Sequence, residues 1–412
     1  MTDLLTTAAA GHGVVSAFQR VVSLPSEAVV GYEALARWPS LNGVNPLQVF
    51  AHAATTGGLD ALDHACVTAA ARGALEGNSA AGMLLLVNSE PTAADLDAGA
   101  DSPLADAARE FRLVFELTER GLLTDPGALL RKVEALRSRG FLIALDDVGA
   151  HRDSLALLDI VAPDIVKLDL GLVQNQPDRI QARTVAAVMA HHERTGALIL
   201  AEGIETDEHL EQALAYGATL GQGYRFGRPG ELDTAPEIAA VPDVQRAAPE
   251  RTGPSIFDLT AYGLTTRVVR KRTLLELSRH IERLAEAAES APIVLTTVQK
   301  HTNFSQTTRR RYTALADRSP LVLVFGVGVP EDLQPCVRWV DLAPEDPLAS
   351  EWTIVVLGPH TAAALIAQER FPPHRTPSRS DGERRFEAAI TFDRARVTRA
   401  ARTLMARLGP HG

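Results

Sequence analysis

The chain is 412 residues long, 46% hydrophobic and 22% charged, a globular composition with length enough for two or three domains. No apolar run approaches the roughly 20 residues of a membrane-spanning helix, the start MTDLLTTAAAGHG lacks the basic head and apolar centre of a signal peptide, and two cysteines, Cys66 and Cys336, imply no disulfide framework, so a soluble cytoplasmic protein is expected. The net charge of −10 is uneven: residues 1–250 carry 18 basic against 34 acidic side chains and residues 251–412 carry 23 against 17, which argues for two units with different tasks and against unaided polyanion binding by the first.

In chain order, short apolar runs read as strands at Val14–Leu24, Val29–Trp38, Met83–Asn88, Arg112–Glu116, Phe141–Asp146, Asp164–Asp169, Ala197–Glu202 and Thr219–Tyr224. Amphipathic stretches such as PGALLRKVEALRSRG and RTVAAVMAHHERTG lie between them. Eight strands with intervening helices in this length match an α/β (β/α)8 barrel. The first two strands are too close for a helix between them, so they are expected to form a hairpin that makes the first strand antiparallel. Pro, Ala and mixed charge mark residues 237–254 as a linker. The expected division is therefore a barrel over 1–236 and a second α/β domain over 255–412.

In that second part, TLLELSRHIERLAEAAES puts Leu274, Leu277, Ile281, Leu284 and Ala288 on one helical face. PIVLTTVQ, PLVLVFGVG, EWTIVVLG and RFEAAITF read as strands, and DRARVTRAARTLMARL as a basic final helix. There is no internal repeat. The basic clusters RVVRKR and RRRY (Arg309–Tyr312) are read as solvated helix faces rather than a nucleic-acid surface. His280 and His301 are isolated, and Trp339 and Trp352 are expected to pack.

Polar residues fall repeatedly at or near the ends of the barrel strands: Glu33, Asn88, Glu116, Asp146 with Asp147, Lys167, Glu202 and Gln222. Strand ends of a barrel converge on one mouth, so five carboxylates, two amides and a lysine are expected to share a pocket. A lone carboxylate at a strand end is usually a cap or an ion-pair partner. Polar strand ends repeated in register make coincidence unlikely, and the concentration of negative charge is costly without cations. Oxygen-only donors suit Mg²⁺, Mn²⁺ or Ca²⁺ rather than zinc, and the number of carboxylates is enough for two ions bridged by an aspartate. Two such ions, ~3.5–4 Å apart, activate water and clamp both oxygens of a phosphoester displacement. Lys167 taken alone also fits a Schiff-base lysine of a barrel aldolase, but its acidic surroundings favour a metal site.

These residues lie in motifs that resemble the EAL-domain family, phosphodiesterases of the bacterial second messenger cyclic di-GMP. YEALAR, ELTE, DDVG, VKLD, AEGIET and GQGYRFGRP occur in the family order over about Val14 to Pro229. The resemblance implies a barrel with an antiparallel first strand, and hydrolysis of cyclic di-GMP to linear pGpG with two Mg²⁺ or Mn²⁺ ions per site. It implies Glu33, Asn88, Glu116 and Asp146 as ligands of one ion, and Asp146, Asp147 and Glu202 as ligands of the other. Lys167 would orient the attacking water, and Glu33, Lys167 and Glu202 would be the catalytic set, Glu202 as a base or its partner. Gln19, Leu35, Arg37, Asp147 and Gln222 would meet substrate, and Glu119 would support the loop behind the aspartate pair. The family loop Phe-Gly-Thr-Gly-Tyr-Ser-Ser-Leu is altered at Val148, Ala150, His151, Arg152 and Asp153. That change leaves a second reading open, a receptor that binds cyclic di-GMP with little or no turnover. The resemblance also implies a homodimer through the barrel. The region from Ser255 onward more weakly resembles the DICT sensory domain, which implies an α/β sensor with an unidentified ligand or protein partner that sets the barrel's rate.

Overall fold

The computed structural model describes the chain except residues 1, 42–43, 78–81, 94–98, 100, 119–121, 151–153, 233–238, 242–252, 254, 371–380 and 409–412. The chain divides into two compact units, one of residues Met1–Leu122, Arg131–Ser154 and Val161–Ala247, the other of Leu123–Leu130, Leu155–Ile160 and Ala248–Gly412. Among the described residues no helix is long and apolar enough to cross a membrane.

The first unit holds a closed eight-stranded barrel of β1 (Val15–Ser23), β2 (Val29–Arg37), β3 (Leu84–Asn88), β4 (Arg112–Thr118), β5 (Leu142–Val148), β6 (Ile165–Leu168), β7 (Leu198–Ala201) and β8 (Leu220–Gly221). The expected hairpin is present: β1 runs antiparallel to both β2 and β8, and the remaining neighbours are parallel. Its interior is filled by Val21, Val30, Leu84, Leu86, Val114, Leu142, Ala144, Ile165, Leu198, Leu200 and Leu220. Ala239 and Val241, inside the expected linker, pack against this layer, and the Ala239 N–H donates to the Val29 carbonyl at 3.0 Å.

β8 is shorter than the run Thr219–Tyr224 predicts. A Cβ on Gly223 would lie 2.1 Å from the Ile204 carbonyl oxygen, so at this point the chain leaves the sheet to pass close to another backbone. A second close approach lies at Gly31, where a Cβ would sit 2.4 Å from the Leu84 oxygen and 2.5 Å from the Leu84 Cβ. Here β2 and β3 pack with no room for a side chain, two residues before Glu33.

The second unit holds a seven-stranded sheet of β9 (Arg267–Arg270), β10 (Ile293–Lys300), β11 (Val322–Val327), β12 (Arg338–Asp341), β13 (Glu351–Leu357), β14 (Ala362–Arg370) and β15 (Arg385–Thr391). Their order is β12-β11-β10-β13-β14-β15-β9. β10, β11 and β12 are parallel, and β13 to β9 form an antiparallel run. The four strands read from sequence are β10, β11, β13 and β15; the sequence does not announce β9, β12 and β14. The helix Lys271–Ala287 buries Leu274, Ser278, Ile281, Glu282 and Ala285. Leu277 and Leu284 flank that face half-buried, while Ala288 caps the helix and does not extend its stripe. Trp339 packs on Phe304 and Trp352 on Phe386, with ring centroids 5.7 and 5.8 Å apart, as expected of packing aromatics. Glu351, fully buried at the start of β13, accepts from Ser255 Oγ at 2.7 Å and from the Phe257 N–H at 3.3 Å.

Gly31→Ala is expected to force β2 from β3 and destabilise the barrel unit by roughly 1–3 kcal/mol, the usual cost of overpacking. Urea denaturation followed by circular dichroism measures this, and a midpoint equal to wild type would contradict the close approach.

Candidate active site

Strand alternation builds the site. Successive residues of a strand face opposite sides of a sheet. On β3 to β6, and directly after β7 and β8, the polar residue comes two positions after the last interior apolar one: Asn88 after Leu86, Glu116 after Val114, Asp146 after Ala144, Lys167 after Ile165, Glu202 after Leu200 and Gln222 after Leu220. The polar residues therefore continue the inward column and form a layer on top of the apolar core.

Lys167 stands at the centre of that layer, 1% exposed. Its Nζ lies 2.8 Å from Glu116 Oε1, 2.9 Å from Asp146 Oδ1, 2.8 Å from Glu202 Oε1 and 3.6 Å from Glu33 Oε1. Glu33 in turn accepts from Asn88 Nδ2 at 3.3 Å and from Gln222 Nε2 at 2.5 Å. Gln222 Nε2 also donates to Gln19 Oε1 at 3.1 Å. Glu33, Asn88, Glu116, Asp146, Lys167, Glu202, Gln222 and Gln19 thus form one connected group.

Asp147 is the exception to alternation. Next to Asp146, it belongs on the outer face of a regular strand. Its φ is +56°, and the β5–β6 register shifts between Leu145 and Val148. Left-handed backbone is unusual for a residue with a Cβ, and aspartate tolerates it better than most. The turn brings carboxylate oxygens of Asp146, Asp147 and Glu202 within 4.8 Å of one another. The Asp147 N–H also donates to Asp146 Oδ1 at 2.9 Å. Nothing in the sequence beyond the adjacency of the pair signals this local geometry.

Leu35 and Arg37 follow Glu33 at alternate positions of β2 and are half-buried. Arg37 Nη1 donates to the Ala36 carbonyl at 2.9 Å, and no ion pair joins it to the carboxylates among the described residues. Glu119, His151, Arg152 and Asp153 lie outside the described residues.

Four carboxylates, of Glu33, Glu116, Asp146 and Glu202, face one ammonium, and Asp147 adds a fifth beside Asp146 and Glu202. Their protonation reflects that imbalance. Burial, together with Glu33, pushes Glu116 well above the ordinary carboxylate range despite Lys167. Burial raises Glu202 to about 8, with Lys167 opposing and Asp146 adding to the rise. For Glu33 burial is outweighed by Lys167 and by donors on Gln222 and Asn88, so it is lowered. Lys167 is raised well above its ordinary value because its carboxylates outweigh its burial. Glu116 Oε2 is fully buried and has no hydrogen-bond partner among the described residues. An orphaned buried carboxylate oxygen beside further oxygen donors fits a hard divalent cation.

Residues 3–229 match the family described as the EAL domain. The chain belongs to the EAL domain family. Residues 255–370, later in the sequence than the EAL domain, match the sensory domain found in diguanylate cyclases and two-component systems, DICT. An uncharacterised protein of Azorhizobium caulinodans is 32% identical over 241 residues, which is 54% of this chain and 32% of that protein. The cyclic di-GMP phosphodiesterase RocR of Pseudomonas aeruginosa is 33% identical over 118 residues, 28% of this chain and 30% of RocR. The probable cyclic di-GMP phosphodiesterase PdeG of Escherichia coli is 28% identical over 238 residues, 55% of this chain and 46% of PdeG. The EAL chain thus spans about a third to a half of these relatives' lengths. Among solved structures, Klebsiella pneumoniae BlrP1 in a calcium and cyclic di-GMP complex is 28% identical over 54% of this chain and 57% of that chain, with a TM-score of 0.46.

Stability of the metal-free protein is expected to fall as pH rises. Folded Glu202 holds its proton to about pH 8, and Glu351, raised by burial to about 7, behaves alike, whereas both release it near 4.5 when unfolded. Their contribution is full below about pH 4.5 and is lost between that pH and about 8. Thermal unfolding in EDTA across pH 5–8 measures the slope, and Glu202→Gln should flatten it. An unchanged slope in that variant would refute the assignment.

Proposed function

We propose that the EAL barrel hydrolyses one phosphodiester of cyclic di-GMP to give linear pGpG, using two Mg²⁺ or Mn²⁺ ions. The observation that carries this reading is the convergence of Glu33, Glu116, Asp146 and Glu202 on Lys167, with Asn88 bonded to Glu33 and Asp147 turned beside Asp146 and Glu202 against strand alternation. The relatives named as cyclic di-GMP phosphodiesterases support the choice of substrate. Glu33, Asn88, Glu116 and Asp146 would hold one ion, and Asp146, Asp147 and Glu202 the other. When bound, the cations would neutralise phosphate charge and acidify the attacking water.

The chain's own groups carry the remaining steps. Lys167 Nζ, held by three carboxylates, orients the water for in-line attack on phosphorus. Glu202 takes the water proton or partners the group that does. Gln222 fixes Glu33 through a hydrogen bond and is itself held by Gln19. Arg37 meets a substrate phosphate, for which a planar guanidinium is suited, and Leu35 forms an apolar wall beside it. The barrel is further proposed to span 1–236, to pair as a homodimer, and to be set in rate by a ligand or protein partner of the domain over 255–412.

Purified protein with Mg²⁺ or Mn²⁺ should convert cyclic di-GMP to pGpG, read by chromatography of the products. Glu33→Ala should lower turnover by at least the roughly 100-fold seen when supporting residues of metal ligands are lost. Absence of turnover with either metal would overturn the enzyme reading. The altered residues Val148, Ala150, His151, Arg152 and Asp153 favour a receptor as the second reading. Tight binding by calorimetry without turnover would select it.

A further inference from the structure

We propose that Asp63 and Lys132 form a buried positioning pair that holds the turn after Asn88, and so aims the Asn88 side chain at its cation. The inference rests on the metal-site reading above.

Asp63 lies on the helix Leu59–Glu76, on a buried face with Leu62, Cys66, Val67 and Ala70. Lys132 comes from the helix Pro126–Ser138. They are 2% and 3% exposed, and Lys132 Nζ is 3.6 Å from Asp63 Oδ2. Both carboxylate oxygens are engaged with the residues directly after Asn88. Oδ2 accepts from Ser89 Oγ at 3.0 Å, and Oδ1 accepts from the Glu90 N–H at 2.8 Å. The Ser89 N–H meanwhile donates to the Glu116 carbonyl at 3.0 Å. Ser89, itself buried, therefore ties the end of β3 both to the strand carrying Glu116 and to Asp63.

Stability does not account for this arrangement. A buried ion pair gains little over an apolar pair of the same volume, because desolvating both charges offsets their attraction. What an apolar pair cannot do is bind two consecutive residues of a turn. Asn88 is the last residue of β3 and only half-buried, so close packing does not lock its side chain. Its Nδ2 bond to Glu33 spans 3.3 Å. Its aim must come from the backbone, which Asp63 fixes from behind. Groups that orient a ligand in this way typically account for about 10–100-fold in metal affinity.

The test measures Mn²⁺ binding to the full chain by calorimetry at fixed pH. Asp63→Asn and Ser89→Ala should each weaken Mn²⁺ binding about 10–100-fold, with turnover recovering at saturating Mn²⁺. Ser89→Ala removes one hydroxyl and should keep the wild-type circular dichroism spectrum, so it decides the matter if Asp63→Asn does not fold. In an Asn88→Ala background, Ser89→Ala should cause no further loss. Wild-type Mn²⁺ affinity in Ser89→Ala, or a loss that adds in full to that of Asn88→Ala, overturns the proposal. A wild-type protein that binds no Mn²⁺ overturns the metal-site reading and this role with it. One that binds Mn²⁺ with this pattern but leaves cyclic di-GMP intact overturns only the phosphodiesterase reading.

Discussion

The ammonium of Lys167 is the group on which the barrel mouth depends. It is buried from bulk solvent, and oxygens of Glu116, Asp146 and Glu202 surround it at 2.8–2.9 Å. One positive charge cannot neutralise five carboxylates. The remainder is met by protons, retained on Glu116 and Glu202 above their ordinary range, or by cations that displace them. Proton retention and an oxygen-rich donor set are two expressions of a single charge imbalance in a low-dielectric setting.

That imbalance could not exist without the way strands place side chains. Because the period is two, an apolar residue and a polar residue two positions later enter the same column. Six strands repeating this pattern stack a polar layer on an apolar one. The apolar layer excludes water from below and keeps the electrostatic interactions strong. Asp147 breaks the period through its left-handed backbone, and only this lets neighbouring residues donate to the same space. Tight β2–β3 packing at Gly31 serves the same end, since it sets the height of Glu33 against Asn88.

The C-terminal sheet is organised differently. Its central strands are buried on both faces, and Ala363, Ala364, Leu365, Ile366 and Ala367 of β14 are fully buried. An alanine-rich run has strong helical propensity in isolation. Here it is a strand because β13 and β15 pair with both of its edges and helices cover the sheet. Tertiary context overrides local preference, as it does for the four-residue edge strands β9 and β12, which are too short to show a period.

The sequence by itself determined the barrel, its antiparallel first strand and the polar residues that crown it. Periodicity is written in neighbouring residues, and the family motifs occur in order. It also marked Asp146 and Asp147 as a pair without saying how both could face one pocket. Only the tertiary structure decided that Lys167 is the hub, that Asp147 turns inward, and that Asp63 and Lys132 lie behind Asn88. Each of these depends on distances between segments far apart in the chain, or on a backbone angle, and neither is encoded in local spacing. Asp63 sits in an ordinary amphipathic helix, and its sequence neighbours hold no hint of the turn it supports.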